Sequence, residues 1–214
     1  MSSVAPMRVD VFSDVVCPWC FIGHARLKTA LEATGHANAV VVHHPFLLNE
    51  HVPDDGYDLR DYLRSKYGGD PERMFRGVEE AARSAGVPLD FSRVTRMPSS
   101  VKAHALLRRA EDAGNQLELL NEFFKAYFLE GADVGDDDVL VNLSLKHGLP
   151  EVEARAIVSD VNELEQTRIE AFSASSNGIT GVPFFVFNEA LAFSGAQPDS
   201  VFRDVIEKAV RRLN

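Results

Sequence analysis

Residues 9–23 read Val9-Asp10-Val11-Phe12-Ser13-Asp14-Val15-Val16-Cys17-Pro18-Trp19-Cys20-Phe21-Ile22-Gly23, and this stretch decides the fold. Over residues 7–13 apolar and polar side chains alternate, as a half-buried strand requires. Beyond Cys20, the residues Leu27, Ala30 and Leu31 recur at helical spacing, and Gly35 offers a stop. Pro18 suits the first turn of that helix, where a backbone N–H would find no partner anyway. Residues 39–46 are rich in Val and read as a second strand. The chain therefore opens strand–helix–strand, with its two cysteines at the start of the helix.

That placement points to thiol chemistry. A CxxC pair opening a helix after a strand is the layout a thiol–disulfide exchanger needs. Cys17 sits where unpaired backbone N–H groups and the positive end of the helix dipole favour a thiolate. It is also the more exposed of the two, and so the expected nucleophile. Cys20, one turn on, closes the intramolecular disulfide that releases a mixed-disulfide partner. A zinc site needs about four ligands, and no second CxxC exists. His43 and His44 do not readily supply two more, because adjacent strand residues point to opposite faces. An inert pair of core cysteines would not favour this strand-to-helix position.

Outward from the opening, residues 59–158 show helical segments and no convincing strand. Ala103, Leu106, Leu107 and Ala110 share one face, as do Leu117, Leu120, Phe124 and Tyr127. Asp136 is a plausible N-cap for a helix over residues 136–147, and a long helix is read over residues 160–176. The pattern then reverts. Residues 183–187 and 191–194 read as strands around a turn at Asn188 and Glu189, and Pro198 opens a final amphipathic helix. On sequence chemistry alone the Val182–Pro183 bond reads as an ordinary trans strand opener, since X–Pro bonds in folded proteins are cis only about 5–6% of the time. Residues 1–58 and 159–214 thus form one expected domain, split by an all-helical insertion over residues 59–158.

Composition sets the limits. The chain has 214 residues, 45% of them hydrophobic and fourteen of them Phe, enough to build a core without disulfide staples. Lys plus Arg is 22 against 32 Asp plus Glu, a formal charge of −10. That balance disfavours nucleic acid and anionic membrane as partners, since both are recognised by clustered positive charge. No basic region followed by an apolar run opens the chain, so no secretory signal is read and a cytoplasmic location is expected.

Taken in order, Asp14-x-x-Cys17-Pro-Trp-Cys20-Phe-Ile-Gly23, Ala126-Tyr-Phe128, Gly178-Ile-x-Gly181-Val-Pro-Phe-Phe185 and Ser194-Gly-Ala-Gln-Pro198 resemble the DsbA family of thioredoxin-fold proteins. The likeness is narrower with its FrnE-like branch, described as dithiol–disulfide oxidoreductases or isomerases. The resemblance spans nearly the whole chain. It implies an α/β thioredoxin fold, βαβ…αββα, interrupted by the helical domain. It also implies a cis-proline loop at Val182–Pro183 beside the cysteines, where the Val182 backbone pairs with an extended substrate strand. Pro183 there would keep a donor from the sulfurs and discourage metal capture, so no metal site is expected.

Two departures from DsbA matter. No signal peptide is visible, and Trp19 stands where DsbA carries His. Without a cation beside Cys17 the thiolate is less stabilised, and the couple should be less oxidising than DsbA. No bound cofactor is expected, and glutathione stays open as reductant or ligand. The expected partner is a disulfide- or thiol-containing protein or small molecule, with a homodimer left open. Rival readings are a glutathione-using kappa-type transferase, or a relative of 2-hydroxychromene-2-carboxylate isomerase, in which Ser takes the place of Cys17. A chaperone-like binding module with a vestigial redox centre is the third.

Other residues carry weaker signals. Asp14 either tunes the cysteines or serves a turn. Trp19 is expected exposed beside Cys17, with Pro18 completing the loop. His24 follows Cys20 by one helical turn and either faces the site or is a solvated or core-satisfied histidine, the commoner case; His104 carries less. Of Phe123, Phe124, Tyr127 and Phe128, helical spacing assigns most to core packing rather than to a substrate groove.

Overall fold

The computed structural model describes residues 6–53 and 55–212. The reading of a leader bears partly on residues 1–5, which lie outside them. The chain opens with β1 (Arg8–Ser13), α1 (Pro18–Ala33) and β2 (Val40–Pro45). There follow β3 (Tyr57–Asp58), α2 (Leu59–Tyr67), α3 (Pro71–Ser84), β4 (Arg96–Met97), α4 (Val101–Asp112), α5 (Gln116–Phe128), α6 (Asp137–Lys146) and α7 (Glu151–Ser159). The last stretch holds α8 (Val161–Ser176), β5 (Phe184–Phe187), β6 (Leu191–Ser194) and α9 (Asp199–Arg211).

The main sheet has the order β2-β1-β5-β6. β1 runs parallel to β2, which α1 connects, and antiparallel to β5. The two-residue alternation read from the sequence sorts its faces. Val9 and Val11 of β1 and Phe185 and Phe187 of β5 are fully buried against Leu27 and Leu31 of α1 and Phe202 and Ile206 of α9. Each such side chain contributes roughly 1.5–3 kcal/mol by leaving water. Phe12 and Phe184 point the other way, toward Phe46, Ile179 and Ala174 of α8. A larger core joins the start of α1 to the helices that follow β2, through Phe21 stacked on Phe124 with centroids 5.1 Å apart.

Local chemistry fixes the ends of these elements. The carboxylates of Asp58, Asp70, Asp136 and Asp160 accept from the N–H groups of Asp61, Glu72, Val139 and Asn162, each starting a helix. Asn188 and Glu189 take φ of 48° and 55°, the two left-handed residues that join β5 to β6 in a tight hairpin. The expected absence of strand in residues 59–158 needs correction, because β4 lies inside that span and pairs antiparallel with β3. Two residues per strand are too few to show a period, so no alternation could reveal them. Tyr127 pins this ribbon, its hydroxyl donating to the Arg96 carbonyl at 2.8 Å. Among the described residues no helix is long and apolar enough to cross a membrane.

Candidate active site

Cys17 is the N-cap of α1, with extended backbone (φ −94°, ψ 112°), and Pro18 follows it in the first turn. Its N–H donates to the Asp14 carbonyl at 3.0 Å, and its own carbonyl accepts from Cys20 N–H at 3.0 Å. The sulfur is thus held at the mouth of the helix. Both thiols are free, and Cys17 keeps 3% exposure against 0% for Cys20. The margin is small, but a cavity of about 660 Å³ separates the two: Cys17 lines it and Cys20 does not. Burial, then the adjacent Cys17 sulfur, push the Cys20 thiol well up, with a further push from the charge of Asp14.

The Val182–Pro183 peptide is cis, as the family resemblance implies and contrary to the trans bond read from sequence chemistry alone. A base rate for X–Pro bonds carries no knowledge of what packs on the proline. The loop lies over Cys17, whose Sγ is 3.9 Å from the Val182 carbonyl oxygen. Pro183 is anchored in turn, its carbonyl accepting from Gly195 N–H at 2.7 Å. Gly23 lets α1 approach it: a Cβ there would stand 2.8 Å from Pro183 Cγ and 3.0 Å from Phe185 Cζ. Neither ring can step aside freely. Gly23→Ala is therefore expected to cost about 1–3 kcal/mol through overpacking, read as a lower urea midpoint, and to slow thiol exchange by displacing Pro183. An unchanged midpoint together with an unchanged exchange rate would refute this.

The cavity is lined by the cysteine loop, the Val182 loop and aromatic residues of the inserted segment. Tyr62, Phe75, Phe91, Tyr127 and Phe128 contribute, whereas Phe123 and Phe124 are fully buried in the core. Among the described residues its one charged lining side chain is Lys66, whose ammonium donates to Tyr62 Oη at 2.8 Å and to the Leu48 carbonyl at 3.0 Å. Trp19 stands at the rim, 41% exposed. The contribution of α2 and α3 had no signal in the sequence, since nothing in their spacing tells which cavity they will wall.

Asp14 serves the turn and more. Its carboxylate accepts from Val16 N–H at 3.3 Å and Leu48 N–H at 2.8 Å, and His104 Nε2 lies 3.4 Å away. Of the two readings of His24, the core-satisfied one holds. His24 does share a helix face with Cys20, but Cys20 points into the core and His24 follows it there, away from the cavity. Its ring packs near Phe124, and burial lowers its pKa to about 4. His43 and His44 diverge as strand geometry requires. His43 is buried and 3.1 Å from His104, while His44 stacks on Phe12 and lies 2.7 Å from Asp10.

Comparison with known proteins follows the same lines. The DSBA-like thioredoxin domain family matches residues 8–207. The crystal structure of a probable DsbA oxidoreductase, SCO1869 of Streptomyces coelicolor, superposes with a TM-score of 0.85 and 34% identity, covering 95% of this chain and 90% of that one. The cytosolic disulfide reductase DsbM of Pseudomonas aeruginosa, solved with GSH, shares the fold with a TM-score of 0.67 and 20% identity, over 95% and 99% of the two chains. YwbO of Bacillus subtilis is 25% identical over 208 residues, 95% of this chain and 96% of its own length.

Proposed function

We propose, from the premise that this chain belongs to the DSBA-like thioredoxin domain family, that it is a thiol–disulfide oxidoreductase of the FrnE-like branch working through Cys17 and Cys20. The single observation that carries the reading is the Cys17 sulfur, at a helix start, on the wall of a cavity and 3.9 Å from the carbonyl of a cis Val182–Pro183 bond. In this reading Cys17 attacks a substrate disulfide and Cys20, buried one turn behind, resolves the mixed disulfide. Val182 offers its backbone to the substrate chain, Pro183 sets that backbone, and Pro18 and Trp19 shape the rim.

The substrate is a disulfide- or thiol-bearing partner presenting an apolar segment, which is what aromatic walls with one lysine would accept. Net direction then follows the redox poise of the compartment. A cytoplasmic setting, with glutathione as the reductant, agrees with the description of DsbM, which was solved with GSH. The kappa-type reading is disfavoured by the retention of sulfur at Cys17.

The test is trapping. Cys20→Ser should leave Cys17 in stable mixed disulfides with its clients, visible as adducts on non-reducing gels that dithiothreitol dissolves. Absence of any adduct from cells expressing that variant would remove the protein-substrate reading.

A further inference from the structure

The cavity beside Cys17 does not close on itself. It shares Trp19, Met74 and Val78 with a depression of about 580 Å³ that reaches Gly68, Gly69 and Arg73. At Leu48, Tyr62 and Lys66 it runs into another, of about 620 Å³, that reaches Asn49 and Tyr57. The three form one groove with Cys17 in its middle section. Two outlets, marked by different residues, admit a chain passing through, where a closed pocket would hold a compact molecule.

Between the outlets the wall is mostly apolar, and Lys66 carries its charge. That ammonium is held in place. It donates to the Leu48 carbonyl at 3.0 Å and to Tyr62 Oη at 2.8 Å, and lies 5.3 and 5.4 Å from the ring centres of Tyr62 and Tyr67. Leu48 is itself tied to the cysteine loop, because the Asp14 carboxylate that accepts from Val16 N–H also accepts from Leu48 N–H at 2.8 Å. The charge thus stands at a fixed place relative to Cys17.

It has no anion of its own. Lys102, Lys125 and Lys208 each meet a carboxylate at 2.6 Å, whereas among the described residues none lies at ion-pair distance from Lys66. An ammonium has three N–H donors, and Lys66 uses two, both on neutral oxygens. Asp58 and Asp61, at the outlet beyond it, are engaged elsewhere: Asp58 caps α2 and Asp61 pairs with Arg64 at 2.6 Å. Their charge would repel a longer acidic run, so the groove suits one carboxylate, placed at Lys66.

We propose that the groove takes an extended client segment in which apolar residues flank the reacting cysteine and one Asp or Glu pairs with Lys66. This inference rests on the oxidoreductase reading and names the substrate class of that same site. In the reducing direction the Cys17 thiolate attacks one sulfur of the client disulfide. An S–S bond forms to Cys17, and the client bond breaks with its electron pair on the leaving sulfur, which takes a proton from water. Cys20, giving its proton to water, then attacks Cys17, closes the Cys17–Cys20 bond and expels the second client thiolate. The client disulfide is reduced and the cysteine pair oxidised. Lys66 takes no part in these transfers; it places the segment and selects it.

The probes are symmetrical peptide disulfides built from Ala and Phe around one Cys. They are made in pairs, with a single Glu or Gln at each position on either side of that Cys in turn. Single-turnover reaction with the reduced protein is quenched in acid, and each rate is divided by that of the same peptide with dithiothreitol to remove intrinsic reactivity. At one position, or two neighbouring ones, Glu should react at least threefold faster than Gln, the scale of a partly exposed ion pair. Lys66→Met should abolish that preference and Lys66→Arg should keep it within twofold. Lys146→Met, which removes the same charge from an exposed lysine outside the groove, should leave it unchanged. Equal rates for Glu and Gln at every position, or a preference that survives Lys66→Met, overturns the proposal. If Lys66→Met does not fold, Lys66→Gln takes its place, since it keeps a donor for the Leu48 carbonyl without the charge. Rapid reaction with dithiodipyridine but with none of the peptides would overturn the extended segment and leave the oxidoreductase reading intact. No reaction with either would overturn both.

Discussion

Replacing Cys17 with serine should reduce dithiothreitol-driven reduction of insulin to the uncatalysed background. The expected loss is complete because of the element itself. Disulfide exchange needs a sulfur that attacks as the thiolate and then shares an S–S bond, and a hydroxyl on the same carbon does neither. Nothing nearby can substitute, since Cys20, the only other sulfur nucleophile in the chain, is fully buried and does not line the cavity. Because serine is nearly isosteric with Cys17, whose sulfur lies a long 3.9 Å from the Val182 carbonyl oxygen, the variant should fold with an unchanged urea midpoint. Residual insulin turnover above background would overturn the assignment of Cys17. Undiminished activity of the same variant toward a glutathione-dependent substrate would transfer the case to the kappa-type reading.

Acid should unfold this protein earlier than its carboxylates alone would dictate. His24 and His43 are buried and held neutral, His24 with a pKa of about 4 and His43 well below its ordinary value, in both cases chiefly by burial. In the unfolded chain each recovers a value near 6.5. A depressed histidine pKa means that the unfolded state binds the proton first. Stability is therefore complete above about pH 6.5 and falls as the pH drops toward 4. For His24 alone the loss across that window is on the order of 3 kcal/mol, and His43 acts in the same direction. The ring neighbours of His24 are Ser13, His43 and Phe124, and none is an anion that would hold an added proton on His24. Urea titrations at pH 7 and pH 4.5 measure this directly. Equal unfolding free energies at the two pH values would refute it, and His24→Leu should flatten the dependence in part.

Much of the fold is written in short-range pattern. Apolar alternation in β1, a proline opening α1, the aspartate that caps α6, and the Asn188–Glu189 hairpin are all local signals, and each sits where the sequence puts it. The spacing of Cys17 and Cys20 is local too. By contrast β3 and β4 come from distant parts of the chain and are two residues each, so pairing, not periodicity, creates them. Helix α5 shows the same limit: Leu119 is buried and Leu117 only half-buried, because the helix meets neighbours on more than one side.

The sequence by itself determined that two cysteines open a helix after a strand, that a proline-headed strand returns much later, and that a helical stretch lies between. Those features depend on residues within a few turns of one another, or on side-chain chemistry that no neighbour can change. Only the tertiary structure decided which way Cys20 and His24 face, that Pro183 meets Gly23 closely enough to exclude a methyl group, and which aromatic rings wall the cavity. It alone brought Ser13, His43 and His104 into one line ending on Asp14. The reason is physical. A histidine in a strand or a helix looks the same in sequence whether it is solvated or buried, and its hydrogen-bond partners are chosen when separate elements pack and remove the water they would otherwise share.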